Sequence, residues 1–192
     1  MTALILATGN PHKLREFSRL LAPAGIAVEP LPAAIRLPPE VGETFADNAL
    51  PKARAAAAAT GRVAIADDSG IEAEALGGAP GVRSARYAGE GASDEQNLAR
   101  LLREAPAGSR LRYVCALAYV DPRAALERVF FGHCEGRLAA RPRGSGGFGY
   151  DPAFIPLETA DGRTMAELSD AEKDAISHRG RAARELIGWL AR

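Results

Sequence analysis

Asp67 and Asp68 stand side by side in Ala66-Asp67-Asp68-Ser69-Gly70, directly after the apolar run Val63-Ala64-Ile65-Ala66. A strand ending there delivers two carboxylates together at a sheet edge. Hard oxygen donors of this kind suit Mg²⁺, which keeps several waters and takes one or two protein carboxylates along with substrate phosphates. Glu40, in the loop before an alanine-rich segment, is a further candidate ligand of the same type. The pair also reads as a solvated acidic turn, and spacing alone favours that plainer reading. Thr8-Gly9-Asn10-Pro11-His12-Lys13 lies between an apolar run and a helical pattern. At a helix start, backbone N–H groups without intrahelical partners and the helix dipole favour an anion. Lys13 would add a full positive charge, although the segment reads equally as a tight turn carrying an exposed lysine.

Gly144-Ser145-Gly146-Gly147-Phe148-Gly149 matches G-x-G-x-x-G, but Tyr150-Asp151-Pro152 follows where a dinucleotide fold would open a helix, which argues against that fold. Such a loop lets backbone approach a ligand closely while Phe148 offers a flat face to a nucleobase; a plain flexible turn is the alternative. Lys173, His178 and Arg179 bring three polar or cationic groups close together in sequence, and no Gly-x-Ser-x-Gly elbow marks His178 as a triad member. Solvated helix charges explain that segment as well. The chain holds 21 arginines but only three lysines, Lys13, Lys52 and Lys173. A compact ammonium retained in an arginine-biased chain suggests specific contacts, with phosphate foremost.

The elements that position these residues follow from periodicity. Ala3–Ala7 reads as a strand, and Leu14, Phe17, Leu20 and Leu21 recur at helical spacing until Pro23 and Gly25 stop the helix. Ile26–Pro30 is a second short strand and Leu31–Pro39 a loop. A helix begins near Thr44 and runs to Thr60, with Pro51 expected to kink it. Val63–Ala66 is a buried strand, Ile71–Leu76 a further strand, and Gly77–Gly91 a long surface loop. Ser93 with Gln96 and Ser169 with Glu172 form capping boxes that open helices. Arg112–Val120 and Leu126–Glu135 read as an antiparallel pair, which makes the sheet mixed. Leu186, Ile187 and Leu190 give the last helix its buried face.

With 192 residues, 47% of them hydrophobic, the chain supports one core and hence one domain spanning 1–192. The 24 acidic and 24 basic residues cancel and only 6% of residues are aromatic, which disfavours a nucleic-acid-binding module. No segment approaches a membrane-spanning apolar run, and Met1–Thr8 lacks the basic start of an export signal. Cys115 and Cys134 show no paired spacing, so a reducing cytoplasm is expected.

Six ordered motifs carry a resemblance: Thr8-Gly-Asn-x-x-Lys-x-x-Glu16, Glu43-Thr-Phe-x-x-Asn-Ala49, Ala66-Asp-Asp-Ser-Gly70, Gly77-Gly-Ala-Pro-Gly-Val-Arg-Ser-Ala-Arg-Tyr87, Gly146-Gly-Phe-Gly-Tyr-Asp-Pro152 and Ser177-His-Arg-Gly180. Together they resemble the inosine triphosphate pyrophosphatase family, also called the Ham1 or RdgB family, over nearly the whole chain. The resemblance implies an α/β fold with a mixed, curved central sheet, flanking helices, two lobes and a central cleft, and a homodimer. It implies hydrolysis of a purine nucleoside triphosphate such as ITP, dITP or XTP to the monophosphate and pyrophosphate, with Mg²⁺. Thr8, Gly9, Asn10, Pro11, His12 and Lys13 then resemble triphosphate contacts, with Lys52 a further one whose direction Pro51 affects. Glu40 and Asp68 resemble metal ligands, and Asp68 the proton acceptor, although Asp67 is not separated from it by spacing. Ser69 resembles a substrate contact, Phe148, Gly149, Tyr150 and Asp151 the base-facing loop, and Lys173, His178 and Arg179 the remaining nucleotide contacts. A Maf-like enzyme preferring modified pyrimidine nucleotides and a nucleotide sensor without turnover are the competing readings.

Overall fold

A computed structural model describes residues 3–192. Its sheet has six strands in the order β2-β1-β3-β4-β5-β6. Strand β1 (Ala3–Leu6) is parallel to β2 (Ala27–Pro30) on one side and to β3 (Ala64–Ala73) on the other. Strands β4 (Arg110–Asp121) and β5 (Leu126–Leu138) are neighbours joined only by residues 122–125, a connection too short for a parallel crossover, so they run antiparallel. Strand β6 (Phe154–Pro156) is antiparallel to β5. The sheet is therefore mixed, with helices α1 (Pro11–Leu21), α2 (Phe45–Thr60), α3 (Asp94–Glu104), α4 (Asp170–Ile176) and α5 (His178–Leu190) completing the α/β fold.

Two compact units divide the chain, and neither is a contiguous stretch. The first comprises Met1–Asp68, Cys115–Gly132 and Arg179–Arg192; the second comprises Ser69–Val114 and His133–His178. The first unit's core gathers Leu4 and Leu6 of β1, Phe17 and Leu21 of α1, Ile65, Leu117 and Leu186. The second unit's core gathers Ile71, Leu98 and Leu101 of α3, Leu111, Leu138 and Phe154. Strand β5 shows the alternation of a half-solvated sheet, with Phe130, Cys134 and Leu138 buried and Phe131, His133, Glu135 and Arg137 exposed, whereas Tyr113–Val120 of β4 is buried throughout.

Helix starts follow their capping chemistry. Ser93 accepts the Gln96 N–H while Gln96 accepts the Ser93 N–H, and Ser169 and Glu172 make the same reciprocal pair. Asn10 and Thr44 cap α1 and α2. Helix α2 continues unbroken through Pro51 to Thr60, and Gly61 closes it at φ 63°.

Four expectations are corrected. The strand expected to end before Asp67 instead runs on through Ser69 and Gly70 to Ala73, because the two carboxylates find cationic and amide partners within the fold and need no solvated turn. The expected strand Ile71–Leu76 is the second half of the same element, followed by a short 3₁₀ helix at Glu74–Leu76. Gly77–Gly91 is not a plain surface loop: Gly81–Arg86 forms a 3₁₀ helix whose buried Ser84 accepts the Ile71 N–H at 2.9 Å. On α5 the buried face is Ala182, Ala183 and Leu186, while Leu190 is 39% exposed and does not belong to it.

Candidate active site

Successive side chains of a strand point to opposite faces, so Asp67 and Asp68 leave β3 in opposite directions and meet different partners. Asp67 is fully buried; its Oδ2 lies 3.0 Å from Lys13 Nζ of α1 and 3.4 Å from Arg179 Nε at the start of α5. Arg179 also contacts Glu16 Oε2 at 3.1 Å through a second guanidinium nitrogen. Lys13 and Glu16, one helical turn apart on α1, thus flank the arginine that holds Asp67. Burial opposes ionisation of Asp67, but the charges of Lys13, Arg179 and Lys52 outweigh it and hold the carboxyl well below its usual range. It is a fixed anion.

Asp68 faces α2. Its Oδ2 accepts a hydrogen bond from Asn48 Nδ2 at 3.0 Å, and its Oδ1 lies 3.9 Å from Lys52 Nζ. Lys52, one turn beyond Asn48, donates to Glu40 Oε1 at 2.5 Å and to the Asp67 carbonyl at 2.8 Å. Burial raises the Asp68 carboxyl above its usual range; Lys52 pulls it down, and the Glu40 carboxylate pushes it further up. Burial also works against the Lys52 charge, yet Asp67, Asp68 and Glu40 together raise its pKa. One ammonium is therefore held between two carboxylates, Glu40 and Asp68. Among the described residues, no group of three or more His, Cys, Asp or Glu is placed to hold a metal ion. Glu40 and Asp68 supply two hard oxygen donors, a number suited to a cation that completes its shell with water and phosphate oxygens.

The Thr8–Lys13 segment differs from expectation in detail. Asn10 Oδ1 accepts the His12 N–H at 2.8 Å and the Lys13 N–H at 3.4 Å, Thr8 Oγ1 accepts the Asn10 N–H at 3.1 Å, and Pro11 has no N–H to offer. The helix start is capped by its own chain, so what it presents to an anion is the dipole and the Lys13 charge rather than a ring of free donors. His12 lies at the surface with Nδ1 2.8 Å from an Arg15 guanidinium nitrogen.

In the second unit, Asp151 plays the central part. It is buried and accepts from Lys173 Nζ at 2.7 Å, from the Tyr113 hydroxyl at 3.0 Å and from the Phe148 N–H at 3.0 Å. These bonds pin the glycine-rich loop, leaving the Phe148 ring half-buried with Lys173 Nζ 5.4 Å from its centroid. Gly147 is required there: at φ +69° a Cβ would stand 2.0 Å from Asp151 Oδ2. Gly149 donates its N–H to Asp94 at 2.8 Å, and the buried Tyr150 donates its hydroxyl to the Ser84 carbonyl at 2.7 Å. His178 is buried and stacks on Tyr113 with centroids 4.5 Å apart and planes 8° apart. Ser69 is half-buried on β3.

The sequence-derived candidates thus gather as two constellations, Lys13, Glu40, Lys52, Asp68 and Arg179 in one unit and Phe148, Asp151, Lys173 and His178 in the other. Glu16 and Asn48, motif positions to which the sequence assigned no role, take part as well, as does Tyr113, which lies outside the motifs. Helical spacing held the signal for the first two, Glu16 following Lys13 and Asn48 preceding Lys52 by one turn; nothing in the sequence distinguishes Tyr113.

Residues 4–189 match the model of the Ham1 family. The chain belongs to the Ham1 family. A dITP/XTP pyrophosphatase of Symbiobacterium thermophilum is 52% identical over 97% of this chain and 94% of its own length. One from Mycolicibacterium paratuberculosis is 48% identical over 99% and 96% respectively. Among solved structures, a HAM1 protein from Coxiella burnetii superimposes with TM-score 0.87 at 38% identity, covering 100% of this chain and 99% of that one. A nucleoside-triphosphatase, dITP/XTP pyrophosphatase, from Mycobacterium abscessus gives TM-score 0.72 at 42% identity over 96% and 98%. These Ham1 relatives are matched along essentially their whole length.

Proposed function

We propose that this Ham1-family chain hydrolyses non-standard purine nucleoside triphosphates (dITP, XTP and ITP) to the monophosphate and pyrophosphate, with Mg²⁺ as cofactor. The observation that carries the reading is the contrast between two adjacent carboxylates in a chain about half identical to proteins named dITP/XTP pyrophosphatase. Asp67 is committed as an anion to Lys13 and Arg179; Asp68, on the opposite face of β3, takes Asn48 on Oδ2 and turns Oδ1 toward Lys52 at 3.9 Å, and is the one suited to accept a proton.

Glu40 and Asp68 would hold Mg²⁺, their oxygens already gathered about the Lys52 ammonium. Bound there, the ion supplies positive charge to neutralise phosphate oxygens. Asp68 accepts the proton of the water that attacks the α-phosphorus, and pyrophosphate leaves. Lys13, beside the start of α1, and Lys52 stabilise the negative charge that builds on the phosphate oxygens, which is the main contribution a protein makes to such transfers. A Cβ on Gly9 would meet no protein atom within 4 Å, so packing does not demand this glycine, whereas close approach of phosphate to the Thr8–Lys13 segment would.

The Phe148–Asp151 loop takes the base, with Phe148 as the stacking face and Lys173 and His178 as polar neighbours. Hypoxanthine and xanthine share a 6-keto oxygen that a donor recognises and adenine lacks. Guanine is penalised when its 2-amino group is left unpaired, at about 1–3 kcal/mol, or roughly ten- to a hundredfold. The family resemblance supports a homodimer, while length, charge balance and cysteine spacing support one domain over residues 1–192 working in the cytoplasm without nucleic-acid or membrane partners. Among the described residues, no helix is long and apolar enough to cross a membrane.

The test is pyrophosphate and orthophosphate release, with and without Mg²⁺, from ITP, XTP and dITP against GTP, ATP and a modified pyrimidine triphosphate. Mg²⁺-dependent pyrophosphate from the first three, far above GTP and ATP, is expected. Orthophosphate alone, a pyrimidine preference, or tight binding without turnover would instead identify a phosphatase, a Maf-like enzyme or a sensor.

A further inference from the structure

The amide of Asn48 makes two hydrogen bonds of different kinds. Its Nδ2 donates to Asp68 Oδ2 at 3.0 Å, and its Oδ1 accepts the backbone N–H of Gly42 at 2.7 Å. Asn48 is buried, and Gly42 lies two residues beyond Glu40 in the loop that enters α2. The approach of that loop is close: a Cβ on Gly42 would stand 2.6 Å from Asp47 Cβ and 2.8 Å from Asn48 Oδ1. Thr44, which caps α2 by accepting the Asp47 N–H at 3.1 Å, fixes the other end of the segment.

We propose that Asn48 is a positioning residue that sets the spacing of Glu40 and Asp68, one half of its amide orienting the Asp68 carboxylate and the other docking the Glu40 loop. With Oδ2 engaged by Asn48, Asp68 turns Oδ1 toward Lys52, so the oxygen presented for chemistry is fixed. A primary amide carries both the N–H that donates to a carboxylate and the oxygen that accepts from a backbone N–H. An aspartate keeps the shape and the acceptor but loses the donor; an alanine loses both. The inference rests on the assignment of Glu40 and Asp68 to metal and proton.

Four proteins test it: wild type, Asn48→Ala, Asn48→Asp and Asp68→Asn. Hydrogen exchange at the Gly42 amide reads the loop half of the device without any turnover. Protection there is expected to fall at least about tenfold in Asn48→Ala and to persist in Asn48→Asp, because a hydrogen-bonded amide exchanges only on opening. In both Asn48 variants kcat for ITP is expected to fall about 10- to 100-fold and the Mg²⁺ concentration for half-maximal rate to rise, as for loss of a group that orients a metal ligand. KM for ITP at saturating Mg²⁺ should change by less than about threefold, since Asn48 touches no base-facing residue. An Asn48 variant with wild-type kcat and Mg²⁺ requirement, whatever its melting temperature, overturns the proposal; should Asn48→Ala not fold, Asn48→Asp decides. Asp68→Asn separates the two levels. If it retains turnover, the assignment of Asp68 fails; if it is inactive while both Asn48 variants work normally, only the positioning role fails.

Discussion

At the scale of single residues, two neighbouring aspartates are sorted by the alternation of β3 into different chemistry. Asp68→Asn keeps the shape and the hydrogen bond from Asn48 but removes the proton acceptor, so pyrophosphate release should fall about 10²- to 10⁴-fold, the range a general base contributes. Near-wild-type turnover in a steady-state assay would remove Asp68 from that role. Asp67→Asn has a different outcome. It removes the buried anion that Lys13 and Arg179 share, while Arg179 keeps Glu16, and breaking a buried pair by removing one partner costs about 3–5 kcal/mol. Urea unfolding at neutral pH should show a loss of that order, and a loss below about 1 kcal/mol would mean Asp67 is not the anchor of this network. The sequence displayed both carboxylates but not their division of labour. Strand alternation separates them only once Ser69-Gly70 is known to continue the strand, and that pair reads locally as a turn. The lysines were more legible: in a chain with 21 arginines, all three lysines contact a buried carboxylate of the two constellations.

At the scale of elements, helix starts and loop pins decide where functional groups sit. Glu172 closes the capping box of α4, the helix that carries Lys173, and hydrogen bonds from Arg163 and from the Ser169 backbone and hydroxyl lower its pKa to about 2. A carboxyl depressed in the folded state contributes stability that is fully present above its unfolded value near 4.3 and is lost as pH falls through about 2. Glu172→Gln mimics the protonated form. The stability gap between wild type and this variant should be widest at pH 5 and above and should narrow between about pH 4 and 2 in urea titrations; a gap independent of pH would show that ionisation of Glu172 is irrelevant to α4. Gly147 lies in the loop proposed to face the base, and Gly147→Ala forces a Cβ against Asp151 in a left-handed conformation costing about 1–2 kcal/mol. The kcat/KM ratio of ITP over GTP should fall severalfold while Mg²⁺ dependence is retained. The capping boxes at Ser93 and Ser169 were readable because their chemistry is local, four residues long and followed by a helical pattern; the third, Thr164 with Glu167, opens only a three-residue 3₁₀ helix and was not. Strand β6 and the 3₁₀ helix at Gly81–Arg86 were not, since three residues carry no period and Ser84 is fixed by Ile71 from a different element.

At the scale of the whole molecule, connectivity sets what can unfold separately. The chain passes between the two units at Asp68–Ser69, Val114–Cys115, Gly132–His133 and His178–Arg179, so β3, β4 and β5 each give residues to both. A strand that loses its pairing along one stretch exposes backbone groups that its continuation must also answer for. Two cysteines report on this: Cys115 lies in the first unit's core and Cys134 in the second's, both fully buried thiols outside any disulfide. Burial, with Asp67 nearby, pushes the Cys115 thiol far above its usual range, so neither exposure nor ionisation favours reaction in the native state. Cys134→Ala leaves Cys115 to report on the first unit, and Cys115→Ala leaves Cys134 to report on the second. In each variant, thiol labelling across a urea series should share its midpoint with the far-ultraviolet circular dichroism transition, the coincidence of probes that marks all-or-none unfolding. Labelling of one cysteine well before the loss of secondary structure would show a unit opening alone. The interleaved strands would then be hinges between separately stable bodies rather than the links that make them unfold as one.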